Sequence, residues 1–224
     1  MIVKTFFSKK LPADPLERFA ALERAGYSPV YTVWQEHGTD AAVLRAPFVC
    51  PSPAELTANQ PRADIIVTNQ PGLWIGVKTA DCVPVLLRDE SAGVVAAVHA
   101  GWRGTALGIV KIAADIMARE FGASPANMRA AMGPCICKAC FETRGDVPAA
   151  LPPGFSEHIT DDGDGRFHVD LPGINAAMLK SVGVTDIAMP PACTCCDPET
   201  YWSHRKHGND RGLQVSLVQL TVYS

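Results

Sequence analysis

The sequence predicts an α+β fold built of mixed α/β layers, on three observations. Short, apolar, β-branched runs bounded by Gly, Pro and Asp follow one another at 65–68, 73–77, 83–87 and 94–98. Several of these are apolar at every position, the pattern of a sheet covered on both faces. Helical stretches are interspersed among them without a strict βαβ rhythm. At 224 residues the chain reads as one domain over 1–224, long enough to bury a real core.

The elements follow in order. Asp14-Pro15-Leu16 opens a helix with a capping Asp and a Pro in the first turn, and Gly26 ends it. Leu16, Phe19 and Leu22 mark its buried side. The Pro- and Ala-rich stretch 46–61 reads as a loop, and the four apolar strands come next. Residues 105–121 give the clearest helix, with Leu107, Val110, Ala114, Met117 and Phe121 at three- and four-residue steps and Gly122 as its stop. Residues 152–164 read as a Gly/Pro/Asp loop. Asp170-Leu171-Pro172 opens a further helix, with Ile174 and Met178 inward and Gly183 closing it. The last strand, 213–222, changes its alternation at Leu217–Val218, which predicts a bulge or burial on both faces.

Composition narrows the function. The chain is 47% hydrophobic and 19% charged with a net charge of -3, so nothing favours nucleic acid or an anionic membrane as partner. No apolar run approaches the roughly 20 residues that span a bilayer. The segment from Met1 to Phe7 lacks a secretory apolar region and cleavage site, so the expected location is cytoplasmic, with reduced thiols.

Two blocks concentrate the chemistry: Lys78-Thr79-Ala80-Asp81-Cys82 and Val98-His99-Ala100-Gly101-Trp102-Arg103-Gly104, each at the end of a buried strand. Gln35-Glu36-His37-Gly38 adds a second imidazole. One Cys and two His suit a zinc site with an open fourth position; they equally suit a thiol nucleophile, Cys82, with His99 as its base. Taken singly, a buried Cys is more often a core thiol, and His37 more often an exposed loop residue. Asp81 alters the balance, because a carboxylate between apolar strands is costly without a partner or a task. It is the nearest candidate general acid or base, or else a structural carboxylate that caps a turn. The strand, the Gly-bounded turn and the following helix start form an anion site, with Arg103 and Gly104 placed to hold phosphate.

Together the Gln-x-His-Gly, Thr-Ala-Asp-Cys-x-Pro and His-Ala-Gly-Trp-Arg-Gly segments resemble the multicopper polyphenol oxidoreductase, or laccase-domain, family. Its members are also described as purine nucleoside phosphorylases and, in bacteria, as a peptidoglycan editing factor. The resemblance continues through Gly133-Pro134-Cys135-Ile136, Cys140-Phe141-Glu142, Asp170-Leu171, Cys193-Thr194, Ser203-His204-Arg205 and Arg211, over residues 30–224. It implies a mixed β-sandwich flanked by helices, similar to the cytotoxic-necrotizing-factor-like cysteine hydrolase fold. It implies Zn2+ held by His37, Cys82 and His99, with water, phosphate or substrate in the fourth position. Copper is a possible occupant, since it binds such ligands more tightly than zinc.

The implied activity is phosphorolysis of adenosine, inosine and methylthioadenosine, together with deamination of adenosine. The catalytic residues would be Cys82, His99 and Asp81. Arg103 and Gly104 would hold phosphate, and Arg205 and Arg211 would line an anionic substrate. The expected partners are small molecules, with no nucleic acid and no membrane, for a monomer or homodimer. Alternatives are a Cys–His hydrolase or amidase acting on peptidoglycan precursors, and a copper polyphenol oxidase. The last fits poorly, because a multicopper site needs far more His than the six present.

The sequence departs from the family pattern in places. Ser8-Lys9-Lys10-Leu11 runs almost straight into the first helix where members carry a longer segment; Glu36 replaces an apolar residue, and Lys206 stands where a second Arg is frequent. The largest departure is six cysteines in two clusters: Cys135, Cys137 and Cys140, then Cys193, Cys195 and Cys196. The expectation is separate thiols or a labile disulfide; a structural zinc would require the two clusters to meet.

Overall fold

The computed structural model describes residues 2–221. In chain order the elements are β1 (Ile2–Phe7), α1 (Pro15–Arg24), β2 (Val30–Tyr31), β3 (Ala41–Leu44), α2 (Pro53–Ala58), β4 (Ile65–Thr68), β5 (Trp74–Thr79), β6 (Val83–Asp89), β7 (Val94–Ala100), α3 (Trp102–Ala106) and α4 (Ile109–Phe121). They continue with β8 (Arg129–Met132), β9 (Glu142–Arg144), α5 (Asp146–Ala150), β10 (Ile159–Gly163), β11 (Arg166–Val169), α6 (Leu171–Ser181), β12 (Asp186–Ala188), α7 (His204–His207) and β13 (Gln214–Thr221).

Two mixed sheets form a sandwich. One has the order β1-β13-β5-β2 and the other β12-β8-β6-β7-β4-β3; a small third sheet runs β10-β11-β9. Strand alternation assigns the packing. On β7, Val95 and Ala97 meet Ile75, Val77, Val218 and Leu220 of the facing sheet. Val94, Ala96 and Val98 turn the other way, onto Ile109, Ala113 and Met117 of α4 and Ile174 and Met178 of α6. The outer face of the four-stranded sheet is covered by α1 through Leu22, against Trp74, Val215 and Leu217. Burying each such Val, Leu or Ile contributes about 1.5–3 kcal/mol. The α+β class with mixed sheets and flanking helices is the one that the sequence predicts.

Several local expectations are corrected. The stretch 46–61 contains α2, because Ser52 and Glu55 form a reciprocal capping box and Leu56 anchors the helix in the core. The helix expected over 105–121 is two: α3 begins at Trp102, and Gly108 (φ 74°) breaks the run before α4. That break leaves Leu107 63% exposed despite its periodic position. Leu16 is 48% exposed, whereas Arg18 is buried and donates to the carbonyls of Pro12 and Ala13. The expected loop 152–164 contains β10, which pairs with β11 around an Asp164-Gly165 turn whose φ values (53° and 69°) suit a tight hairpin.

The central strand β13 holds regular antiparallel register with both β1 and β5, so its change of phase reflects burial on both faces. Val222 lies outside the described residues. Among the described residues no helix is long and apolar enough to cross a membrane.

Candidate metal centre

Sheet register creates the centre. Antiparallel pairing of β6 and β7 sets Val83 opposite Ala100 and Pro84 opposite His99, which brings the β5–β6 turn carrying Cys82 to the end of β7. His37 arrives on the loop after β2, tied down where the Trp34 N–H donates to the Pro61 carbonyl and the Ala63 N–H donates to the Trp34 carbonyl. The donor atoms of His37, Cys82 and His99 lie within 4.8 Å of one another. Cys82 Sγ is 4.0 Å from His37 Nε2. Two non-glycine residues here have positive φ, His37 (62°) and Asp81 (91°), a conformation that costs of order 1–3 kcal/mol and clusters at functional sites.

Asp64, immediately before β4, organises both histidines. Its carboxylate lies 2.7 Å from His99 Nδ1 and accepts the backbone N–H groups of Glu36, His37 and Gly38. His99 is thereby oriented, and its Nε2 is left to face the cluster. Burial opposes the charge on Asp64, but the bonds from His99 and the loop amides outweigh it and lower its pKa. Burial alone would raise the Cys82 thiol; the His99 cation and hydrogen bonds from His37 and His99 reverse this and bring it to about 6. Burial would lower His99, and Cys82 and Asp64 raise it to about 9. The protein therefore stabilises a thiolate beside an imidazolium.

Gly101 shapes the cradle. A Cβ there would lie 3.0 Å from His37 Cδ2 and 3.2 Å from Cys82 Sγ, so a side chain would intrude among the ligand-type groups.

The three residues open onto a cavity of about 680 Å3. Its apolar walls include Trp34, Trp102, Ile136, Phe141 and Leu171; its cations include Arg103, Arg205 and Arg211. Trp34 is 58% exposed at this site. The Arg103 guanidinium stacks on Trp102 at 4.3 Å. The guanidinium of Arg205 donates to the carbonyls of Cys140 and Glu142, and Arg211 Nε donates to His204 Nδ1. Lys78 contributes to the lining, but its ammonium donates to the carbonyl of Val33 and to Gln60; burial, with the Arg18 charge, brings its pKa down to about 8.

Asp81 borders the same cavity with its carboxylate committed: Oδ1 accepts from Thr194 Oγ1 at 2.6 Å, and Oδ2 accepts from the Arg205 N–H at 2.7 Å. That is the structural-carboxylate geometry. Gly104 lies outside the cavity lining. It is buried, and a Cβ there would sit 3.2 Å from the Gly38 carbonyl, so glycine permits a close backbone approach at this position.

The expectation of separate cysteine clusters is corrected. A backbone bridge between Cys135 and Cys193 brings the two segments together, and the thiols of Cys137, Cys140, Cys193 and Cys196 converge. Cys135 and Cys195 are buried outside this group.

Sequence reasoning did not single out Asp64. Its signal was a carboxylate directly before the apolar run 65–68, a position that demands a buried partner. Gln35 also gained no role, although its side-chain amide exchanges two hydrogen bonds with the Lys78 backbone and so fixes the His37 loop to β5.

A helix-covered β-sandwich with a cysteine–histidine metal-type centre in an aromatic and basic cavity defines the class. The chain belongs to the multi-copper polyphenol oxidoreductase laccase family, whose sequence model matches residues 14–221. It is 40% identical over 183 residues to purine nucleoside phosphorylase SCO2081 of Streptomyces coelicolor, spanning 79% of this chain and 71% of that protein. It is 37% identical over 184 residues to adenosine deaminase RL5 of an unknown prokaryotic organism, spanning 80% and 70%. The solved YfiH structure of Bacillus licheniformis has the same fold, with a TM-score of 0.89 over 98% of this chain and 93% of that one at 22% identity. NMB0706 of Neisseria meningitidis, described as a DUF152 protein, superposes with a TM-score of 0.83 over 98% and 95% at 29% identity.

Proposed function

We propose that this chain is a zinc-dependent purine nucleoside phosphorylase that also deaminates adenosine. One observation carries the reading: a Cys/His2 set borders a cavity that offers aromatic faces and arginines together. The names of the Streptomyces coelicolor and RL5 relatives support it.

The residues fit a metal ion. His37, Cys82 and His99 would hold it, His99 giving up its Nε2 proton as it ligates; the sulfur of Cys82 supplies a soft anionic ligand, and Gly101 leaves the space that a Cβ would fill. When bound, zinc would supply Lewis acidity and a fourth position open to water or substrate. The chain's own groups do the rest. Arg103, with Arg205 and Arg211, attracts the phosphate, for which planar guanidinium donors are suited. Trp34, Trp102 and Phe141 offer faces to a purine. Phosphorolysis forms a bond from a phosphate oxygen to the ribose C1′ as the bond from C1′ to the base nitrogen breaks, and the departing base takes that electron pair. Asp64 orients His99, and Asp81 holds the cavity wall through Thr194 and Arg205.

A second reading is favoured by the lowered Cys82 thiol: Cys82 as nucleophile and His99 as base of a hydrolase acting on peptidoglycan precursors. One experiment separates the two. Zinc content and adenosine-plus-phosphate turnover are measured on wild type and Cys82→Ala, purified without added metal. Loss of one zinc per chain together with turnover supports the phosphorylase. No change in zinc, with turnover absent from both and rapid alkylation of Cys82, supports the thiol hydrolase.

A further inference from the structure

We infer that Cys137, Cys140, Cys193 and Cys196 form a second metal site, a structural zinc that clamps one wall of the cavity. The inference does not depend on what occupies the Cys82 centre.

The geometry is that of four converging thiol groups. All four Sγ atoms lie within 4.8 Å of one another, with Cys140 to Cys196 at 3.4 Å and Cys137 to Cys196 at 4.0 Å. A tetrahedral zinc with Zn–S bonds of about 2.3 Å sets its sulfurs about 3.8 Å apart, within that span. All four cysteines are free. They come as two Cys-x-x-Cys pairs, each in a tight turn: the Cys140 N–H donates to the Cys137 carbonyl, and the Asp197 N–H to the Cys193 carbonyl. The Cys137 N–H donates to Cys193 Sγ at 3.2 Å, a contact that stabilises a thiolate.

The scaffold holds this convergence through its backbone. The Cys135 N–H donates to the Ala192 carbonyl and the Thr194 N–H to the Cys135 carbonyl, so backbone hydrogen bonds join the two turns. An all-sulfur donor set selects a soft, tetrahedral ion over magnesium or calcium.

The clamp is coupled to the cavity. Arg205 donates its guanidinium to the Cys140 carbonyl, and its backbone N–H to Asp81. Thr194, inside the second Cys-x-x-Cys, donates to the other Asp81 oxygen, and the Ile136 N–H donates to the Asp81 carbonyl. A zinc in the cluster would thus fix the turn that presents Cys82.

The test counts zinc in wild type, Cys82→Ala and the double variant Cys137→Ser/Cys140→Ser, each purified without added metal. The double variant is expected to lose one zinc per chain relative to wild type, and Cys82→Ala to retain that ion. In native wild type, iodoacetamide with peptide mass mapping should leave these four thiols unmodified, and prior chelation should expose them. This readout, with a thiolate-to-metal absorption band on cobalt replacement, decides the matter if the double variant does not fold. Free alkylation of the four thiols before chelation would overturn the site. So would disulfides in the intact mass, or an unchanged zinc count in a folded double variant.

Discussion

Asp64 Oδ1 sits 2.7 Å from His99 Nδ1, and both side chains are almost wholly buried. The same carboxylate gathers the amides of Glu36, His37 and Gly38. One residue thus fixes the ring of one ligand-type histidine and the loop of the other. Second-layer groups of this kind typically change metal affinity about 10–100-fold when altered. Asp64→Asn should weaken zinc binding by about that factor, read by competition with a chromogenic chelator. Asp64→Ala, which strips a buried pair of one partner, should also cost about 3–5 kcal/mol of stability in urea unfolding. Unchanged zinc affinity in a folded Asp64→Asn protein would remove the orienting role.

The thiolate–imidazolium pair has a pH signature. A thiol reacts as its thiolate, and Cys82 is lowered to about 6, so alkylation of metal-free protein at Cys82 should reach half its maximal rate near pH 6. Asp64→Asn removes the charge that helps to keep His99 protonated. His99 then falls, its cation is lost at lower pH, and the Cys82 midpoint moves upward. A wild-type midpoint near the ordinary thiol value would contradict the pairing.

Gly101→Ala tests the cradle. Its Cβ would crowd His37 and Cys82 and touch His99, so the expected loss is in zinc content and turnover. Thermal stability should change much less. A variant that keeps its full zinc complement would show that the space is dispensable.

Gly76→Ala makes the contrasting test of packing. Its Cβ would lie 2.3 Å from Leu217 Cδ2 and 2.9 Å from the Ser216 carbonyl across the β5–β13 ladder. Overpacking of this kind costs about 1–3 kcal/mol, visible as a lower urea midpoint. An unchanged midpoint would show that the strands separate without penalty.

Arg103→Ala tests the phosphate role given to Arg103 in the proposed phosphorylase. Losing a charge-assisted hydrogen bond costs about 1.5–3 kcal/mol, or a rise in the phosphate KM of about 10–100-fold, with the nucleoside KM much less affected. An equal rise in both would assign Arg103 to the stacking wall with Trp102.

Much of this was legible in the sequence because it is local. The strands at 65–68 and 94–98 announce themselves by unbroken β-branched and small apolar runs. The Asp14 and Asp170 caps act on amides three residues away, so a short window contains them. The Ser52/Glu55 capping box is equally local, but the surrounding Pro and Ala give that stretch the composition of a loop. The break at Gly108 was harder: Leu107 keeps the helical period, and only the left-handed glycine overrides it.

By itself the sequence determined the α+β class, most of the strands and the trio His37, Cys82 and His99, since residue type and strand ends are written in the chain. Tertiary structure alone decided which distant groups meet. Asp64 finds His99 across the pairing of β4 with β7. Asp81 finds Thr194 and Arg205 from more than a hundred residues away. The two Cys-x-x-Cys turns meet through the Cys135–Cys193 bridge. The physical reason is common to all three: a buried polar group or thiol cluster is satisfied by whatever the closed chain brings near, and sequence separation carries no trace of that distance.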